Sequence, residues 1–225
     1  MNVIAPTWFS MTDEYGAFRS FATADYVTTA HNMGLQVWGV LDNFNYANEN
    51  GISISTLNML SSTTARQTLV QNVTDTAASL GLDGINVDFE QLSSDCGPHY
   101  VEFLRELSIQ CRNKGLVLSV DNYVPFNFND YYRLDIQGQV ADYVIIMGYD
   151  EHWHGSKDPG SVASIGYVSD GLDRTLQEVP ANKVVNALPL YTILWKTEGT
   201  DVTDEYITMR NEAEFMSRAG VMVEG

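Results

Sequence analysis

A (β/α)8 TIM barrel, clipped at both ends, is the α/β fold this sequence predicts, and three observations predict it. Short apolar, β-rich runs alternate with longer helical stretches, the rhythm of parallel strands joined by right-handed crossovers. No Gly-rich phosphate loop follows any run, which weakens the alternative, an open doubly wound nucleotide-binding sheet. Several runs end instead in polar or aromatic residues: Asp42-Asn43, Asp88 and Glu90, Asp121-Asn122-Tyr123, Tyr149-Asp150, Tyr191. In a barrel such ends converge on one face, where catalytic groups are found.

Taken in order, "NVIAPTWF" (2–9) is the first strand, and a helix is expected near 24–33, closed by Gly34. "LQVWGVLDNF" (35–44) is the second strand, followed by a helix near 62–80 that Gly81 ends. "GINVDFE" (84–90) is the third. The helix near 99–113 has Pro98 at its first turn and Lys114-Gly115 at its end. "LVLSVDNY" (116–123), "YVIIMGYD" (143–150) and "KVVNALPLY" (183–191) complete six strands, with helices expected at 164–178 and 204–218. A full barrel has eight strands. The simplest account is a single domain over 1–225 clipped at both ends, with the acidic, helix-like stretch from about 197 as the start of an insertion.

The 225 residues are 44% hydrophobic and 18% charged, a globular composition long enough to bury a sizeable core. The net charge of −17 argues against nucleic acid and against docking on anionic lipid. No apolar run is long enough to span a membrane. "MNVIAPTWFS" lacks the basic start and cleavage pattern of a signal peptide. Cys96 and Cys111 are too few for a disulfide framework or a zinc motif, and two free thiols are expected.

The stretch "GLDGINVDFEQL" (81–92) carries the chemistry. Ile85, Val87 and Phe89 alternate with Asn86, Asp88 and Glu90. A strand shows alternate residues to opposite faces, so the apolar set faces the helices and the polar set lines the interior, with Glu90 at the mouth. Asp88 and Glu90 lie about 6.6 Å apart along the strand. Repulsion and desolvation then raise one carboxyl so that it keeps a proton near neutral pH, which makes a general acid. Two acids on one strand cannot flank a sugar as the pair in ordinary retaining and inverting glycosidases does. One acid with a helper, and a nucleophile from elsewhere, suits this geometry.

"DGINVDFE" resembles the Asp-x-x-Asp-x-Asp-x-Glu signature of family 18 glycoside hydrolases, the chitinase class, with Asp83, Asn86, Asp88 and Glu90 at its four positions. "MGYD" (147–150) and "LPLYTILW" (188–195) are similar to the family's segments on strands six and seven. "PTWFS", "VWGVLDNF", "VDNYVP" and "MGYDEHWHGSKDPGSVAS" look most like its bacterial spore-cortex and cell-wall peptidoglycan branch. The resemblance implies substrate-assisted retention on β-1,4 glycans that contain GlcNAc. Glu90 would protonate the glycosidic oxygen, Asp88 would orient the substrate's acetamido group, and Tyr149 would hydrogen-bond its carbonyl. Asn86, Asp150, Met147, Tyr191, Trp195 and Trp8 would line the sugar site. No cofactor and no metal are implied, and the location implied is extracellular, at the cell wall or spore surface. The alternatives are a chitinase acting on chitin oligomers and a non-catalytic glycan-binding barrel.

Two departures accompany the likeness. Asn86 stands where the family has its middle Asp, and an amide raises the Asp88 carboxyl less than a carboxylate would, so an altered pH dependence is expected. The family's first strand, and its eighth, whose Trp floors the sugar site, are not among the six runs. Trp153 and Trp195 are equally suited to stacking on sugars or to packing, whereas Trp38 reads as packing. "DEHWH" (150–154) sets two His beside acids, a zinc-like pattern, but follows a strand without a third ligand cluster and reads as a solvated rim loop.

Overall fold

The computed structural model describes residues 2–44 and 54–219. Six strands lie parallel and in chain order: β2 (Thr7–Met11), β4 (Gln36–Asp42), β5 (Gly84–Asp88), β6 (Val117–Tyr123), β7 (Tyr143–Met147) and β8 (Val184–Ala187). They correspond to the six runs read from the sequence. A two-residue strand, β1 (Val3–Ile4), pairs with the start of β4 along the same side as β2. Pro6, without an N–H to give, sits in the gap between them. The short β3 (Phe18–Ser20) pairs antiparallel on the free side of β2. The sheet is barrel-like but does not close: β3 and β8 are its edges among the described residues.

The crossover helices are α1 (Ala24–Asn32), α2 (Thr56–Ser61) with α3 (Thr63–Leu80), α4 (Gly97–Lys114), α5 (Leu134–Val140) and α6 (Ile165–Thr175). Their ends follow local chemistry. Ser62 caps α3 by accepting the Ala65 N–H, and Thr23 caps α1 by accepting that of Tyr26. Gly81 and Gly115 close α3 and α4 in the left-handed conformation at φ 75° and 70°, which costs glycine little. The core lies between sheet and helices. Ile85, Val87 and Phe89 are fully buried there, and Phe89 stacks on Phe103 of α4 at 5.3 Å. The face assignment read from the strand's alternation therefore holds.

Two readings are corrected. The run 183–191 is not one strand: β8 stops at Ala187, and Pro189 interrupts the run because it cannot donate to a ladder. A second strand, β9 (Tyr191–Glu198), begins after it. The helix expected at 204–218 is instead β10 (Asp201–Thr208), paired antiparallel with β9 residue for residue, followed by α7 (Glu212–Ala219). Gly199 at φ 64° makes the turn. Cross-strand pairing outweighed local helix propensity, and β9 runs through position 197. Two short helices, α2 and α5, went unread because one or two turns leave little periodicity to see.

Candidate active site

In-register neighbours share a face, so the inward residues of β4 to β7 stack in layers. At the lowest, Gly84 lies opposite Trp38, whose ring stacks at 5.4 Å on that of Tyr143 from β7. A Cβ on Gly84 would come within 2.8 Å of the Trp38 ring, so only glycine leaves room. Trp38 is thus a floor plug, as expected. In the next layer the Asn86 side-chain amide donates to Ser119 Oγ and to Asp121 Oδ1, each at 3.0 Å. The third layer is acidic: Asp42, Asp88 and Asp121. Ser10 Oγ and the Phe44 N–H donate to Asp42 at 3.0 and 3.1 Å.

This layer sets the protonation. Burial first, then the charges of Asp121, Glu90 and Asp42, raise the Asp88 carboxyl to about 7. Burial raises Asp121 to about 6, opposed by the Asn86 hydrogen bond. Burial also raises Asp42, against the hydrogen bonds it accepts. One Asp88 oxygen, Oδ1, is buried with no hydrogen-bond partner. The proton-retaining group is therefore Asp88, and the repulsion that Asn86 no longer supplies comes from Asp121 on the adjacent strand.

Glu90 lies two residues beyond the end of β5. Asn43, just after β4, grips its backbone from both sides: Asn43 Nδ2 donates to the Glu90 carbonyl at 2.9 Å, and the Glu90 N–H donates to Asn43 Oδ1 at 2.8 Å. Tyr123, the last residue of β6, donates its hydroxyl to Glu90 Oε2 at 2.6 Å. Glu90 lines two hollows. One, of 470 Å³, is shared with Met147, Tyr149, Asp150, Trp153 and Tyr206. The other, of 340 Å³, is shared with Asn43, Phe44, Thr56 and Leu57.

Aromatic rings wall the larger hollow. Burial, then the charges of Asp121, Asp88 and Glu90, push the Tyr149 phenol up to about 12, so it stays a neutral donor. Asp150, at φ 58°, accepts the Tyr191 hydroxyl. The Tyr191 ring meets Tyr149 and Tyr206 edge-on, at 6.4 and 5.3 Å. His154 stacks on Tyr206 at 4.9 Å and bonds through Nδ1 to Asp204. The β9–β10 hairpin thus folds against the loop that follows β7.

Of the residues singled out from sequence, Glu90, Tyr149, Asp150 and Met147 meet at this hollow, with Asp88 and Asn86 beneath and Tyr191 bracing Asp150. Trp195 and Trp8 do not line it. Trp195 Nε1 donates to the Gly160 carbonyl at 2.8 Å and ties down the loop. A bulge between Thr7 and Phe9 breaks the alternation at Trp8, whose ring packs edge-on against Tyr26 of α1 at 5.0 Å. Trp153 does line the hollow and is 58% exposed. Asn43, Asp121, Tyr123 and Tyr206 had been given no role. The period-two rule applied to "VLSVDNY" puts Ser119, Asp121 and Tyr123 on the inner face, so that signal was available; Tyr206 was hidden by the helical reading.

His152 Nδ1 bonds to the Asp158 carbonyl at 2.8 Å, so the two histidines of "DEHWH" have separate partners. Among the described residues no group of three or more His, Cys, Asp or Glu side chains is arranged to hold a metal ion. Cys96 and Cys111 are free and buried, and burial pushes the Cys111 thiol up to about 12. No described helix is long and apolar enough to cross a membrane.

Barrel-type sheets with acids at the strand ends and rings at the rim are, as a class, suited to cutting sugar chains. The particular family follows from comparison: the model of glycosyl hydrolases family 18 matches residues 47–222, and the chain belongs to that family. YdhD of Bacillus subtilis, named as a sporulation-specific glycosylase, is 33% identical over 144 residues, covering 61% of this chain and 33% of that protein. Its crystal structure superposes with a TM-score of 0.85 at 26% identity, over 99% of this chain and 75% of that one. A cortical fragment-lytic enzyme of Bacillus anthracis is 30% identical over 148 residues, 61% of this chain and 33% of that protein. A chitinase from Chromobacterium violaceum superposes with a TM-score of 0.81 at 26% identity, over 98% and 70% of the two chains. The chain thus spans 33% of the length of both curated relatives.

Proposed function

We propose that the chain is a retaining glycoside hydrolase that cuts β-1,4 bonds in GlcNAc-containing glycans by substrate-assisted catalysis. The observation that carries this reading is the placement of Glu90. Glu90 lines two hollows, and Asp88 stands two residues before it at the end of β5. A sugar chain lying across Glu90 finds a proton donor beside the scissile bond, while the other carboxylate of the larger hollow, Asp150, is engaged by the Tyr191 hydroxyl. The nucleophile then has to come with the substrate.

In the proposed sequence Glu90 gives its proton to the glycosidic oxygen as the C–O bond breaks and the bond electrons pass to that oxygen. The acetamido carbonyl oxygen attacks the anomeric carbon from the other face and closes a cationic oxazolinium ring. Asp88, in its ionised form, orients the amide N–H and balances the positive charge, and the Tyr149 hydroxyl donates to the acetamido oxygen. Water then attacks the anomeric carbon, Glu90 takes its proton, and the ring opens with configuration retained. No cofactor enters these steps.

Peptidoglycan or spore cortex is the preferred polymer, and the cell wall or spore surface the preferred location. The names of the sporulation and cortex relatives support this. Chitin is the second reading, favoured by the chitinase superposition. Release of new reducing ends from sacculi and from chitin oligomers is the measurement. Glu90→Gln is expected to lower that release by about 10²–10⁴-fold while leaving glycan binding in place. Undiminished turnover by this variant would discard the mechanism, and faster release from chitin would reverse the substrate preference.

A further inference from the structure

Glu90 is held from both flanking strands, and the two grips differ in kind. Asn43 holds only its backbone. Tyr123 holds the carboxylate itself, at 2.6 Å on Oε2. The same Tyr123 hydroxyl accepts the Gln91 N–H at 3.2 Å. Gln91 is in the left-handed conformation at φ 53°, sparsely populated for a residue with a Cβ. The amide, the phenol and the carboxylate thus form one chain, Gln91 N–H to Tyr123 O–H to Glu90 Oε2. Each donor in such a chain polarises the next.

We propose that Tyr123 is a positioning residue for Glu90: its hydroxyl fixes Oε2, leaving Oε1 to carry the proton toward the scissile bond. The step it serves is the proton transfer proposed above, so the inference rests on that reading. A carboxyl hanging beyond a strand end is otherwise free to turn about its side-chain torsions, and an acid that must meet a glycosidic oxygen loses rate with each misplaced rotamer. Burial, then the hydrogen bond to Glu90, raise the Tyr123 phenol, so it stays a neutral donor to the carboxylate.

The Glu90 charge is felt by groups on every side of it: Asp88 at the end of β5, Asp121 on β6, Tyr132 before α5, and Tyr149 after β7. Asp150 and His154 line the same hollow. Tyr132 provides the control. Its hydroxyl accepts the Leu92 N–H at 3.2 Å and donates to the Phe89 carbonyl at 3.3 Å, so it braces the same loop without touching the carboxylate.

The experiment compares the chain with Tyr123→Phe and Tyr132→Phe by the carboxyl-carbon NMR resonance of labelled glutamate at one fixed pH, the Glu90 signal being assigned through Glu90→Gln. Tyr123→Phe is expected to shift the Glu90 carboxyl resonance and Tyr132→Phe to leave it in place, because only Tyr123 of the two donates to the carboxylate. An unmoved resonance in Tyr123→Phe, or equal movement in both variants, overturns the proposal. This reading needs no turnover, so it stands apart from the glycosidase assignment, which fails if Glu90→Gln and the unchanged chain release reducing ends equally. Where turnover is present, Tyr123→Phe is expected to lower kcat about tenfold or more with KM little changed. Loss confined to KM also overturns the proposal.

Discussion

Asp88 is the residue on which the protonation of this site turns. Its carboxyl is raised to about 7 by burial and by three neighbouring acids, and Asp121 is the first of those three. Asp121→Asn removes that charge while keeping a side-chain oxygen able to accept the Asn86 amide. The Asp88 midpoint is then expected to fall, by about one unit, in a carboxyl NMR titration. A midpoint that stays near 7 would mean that the Asp121 charge does not set it. The sequence presented Asp88 and Glu90 as a pair because they are two positions apart. It did not present Asn43 and Tyr123, which reach Glu90 from 47 and 33 positions away. Their polar character was visible; their partner was not, because it depends on which strands become neighbours.

Among the elements, β5 shows how tightly the layers are built. Gly84 opens the strand at the level where Trp38 and Tyr143 stack. Gly84→Ala would set a methyl 2.8 Å from both the Trp38 ring and the Val117 carbonyl oxygen. The ring has little freedom at 8% exposure, and the carbonyl belongs to a paired strand. Overpacking of this kind costs about 1–3 kcal/mol, a fall in Tm of roughly 2–10 °C for a chain of this size. Calorimetry checks it, and an unchanged Tm would show that the plug yields. The hairpin of β9 and β10 is the opposite case. Its strands are rich in threonine and tyrosine, residues that suit strands, yet the acids among them read as a helix. What decides is the eight-residue antiparallel ladder and the stacking of Tyr206 on His154, both beyond local sequence.

At the scale of the whole molecule, the buried acids make stability depend on pH. Asp42, Asp88 and Asp121 all have folded-state values above those of the unfolded chain. Between about pH 4 and pH 7 the folded form therefore holds more protons than the unfolded one, and stability falls as pH rises through that window. Below it all three groups are protonated in both states and the penalty vanishes. Asp75 and Asp135 are shifted the other way by hydrogen bonds from Gln71 and Arg133, but these pairs lie near the surface, where solvent screens them. The expected result is a Tm higher near pH 5 than near pH 7.5, with the difference reduced in Asp88→Asn. A Tm that rises steadily with pH over that range would contradict it.

The sequence by itself determined the strand–helix rhythm, the six parallel strands, the faces of β5, and the acids at its mouth. Those features repeat with the period of the backbone, and local chemistry alone writes them. Only the tertiary structure decided that Asp121 replaces the repulsion Asn86 lacks, that Asn43 and Tyr123 hold Glu90, and that a hairpin and not a helix walls the hollow. Each of these rests on contact between residues distant in the chain, and the energies of burial, repulsion and cross-strand pairing arise only when folding brings them together.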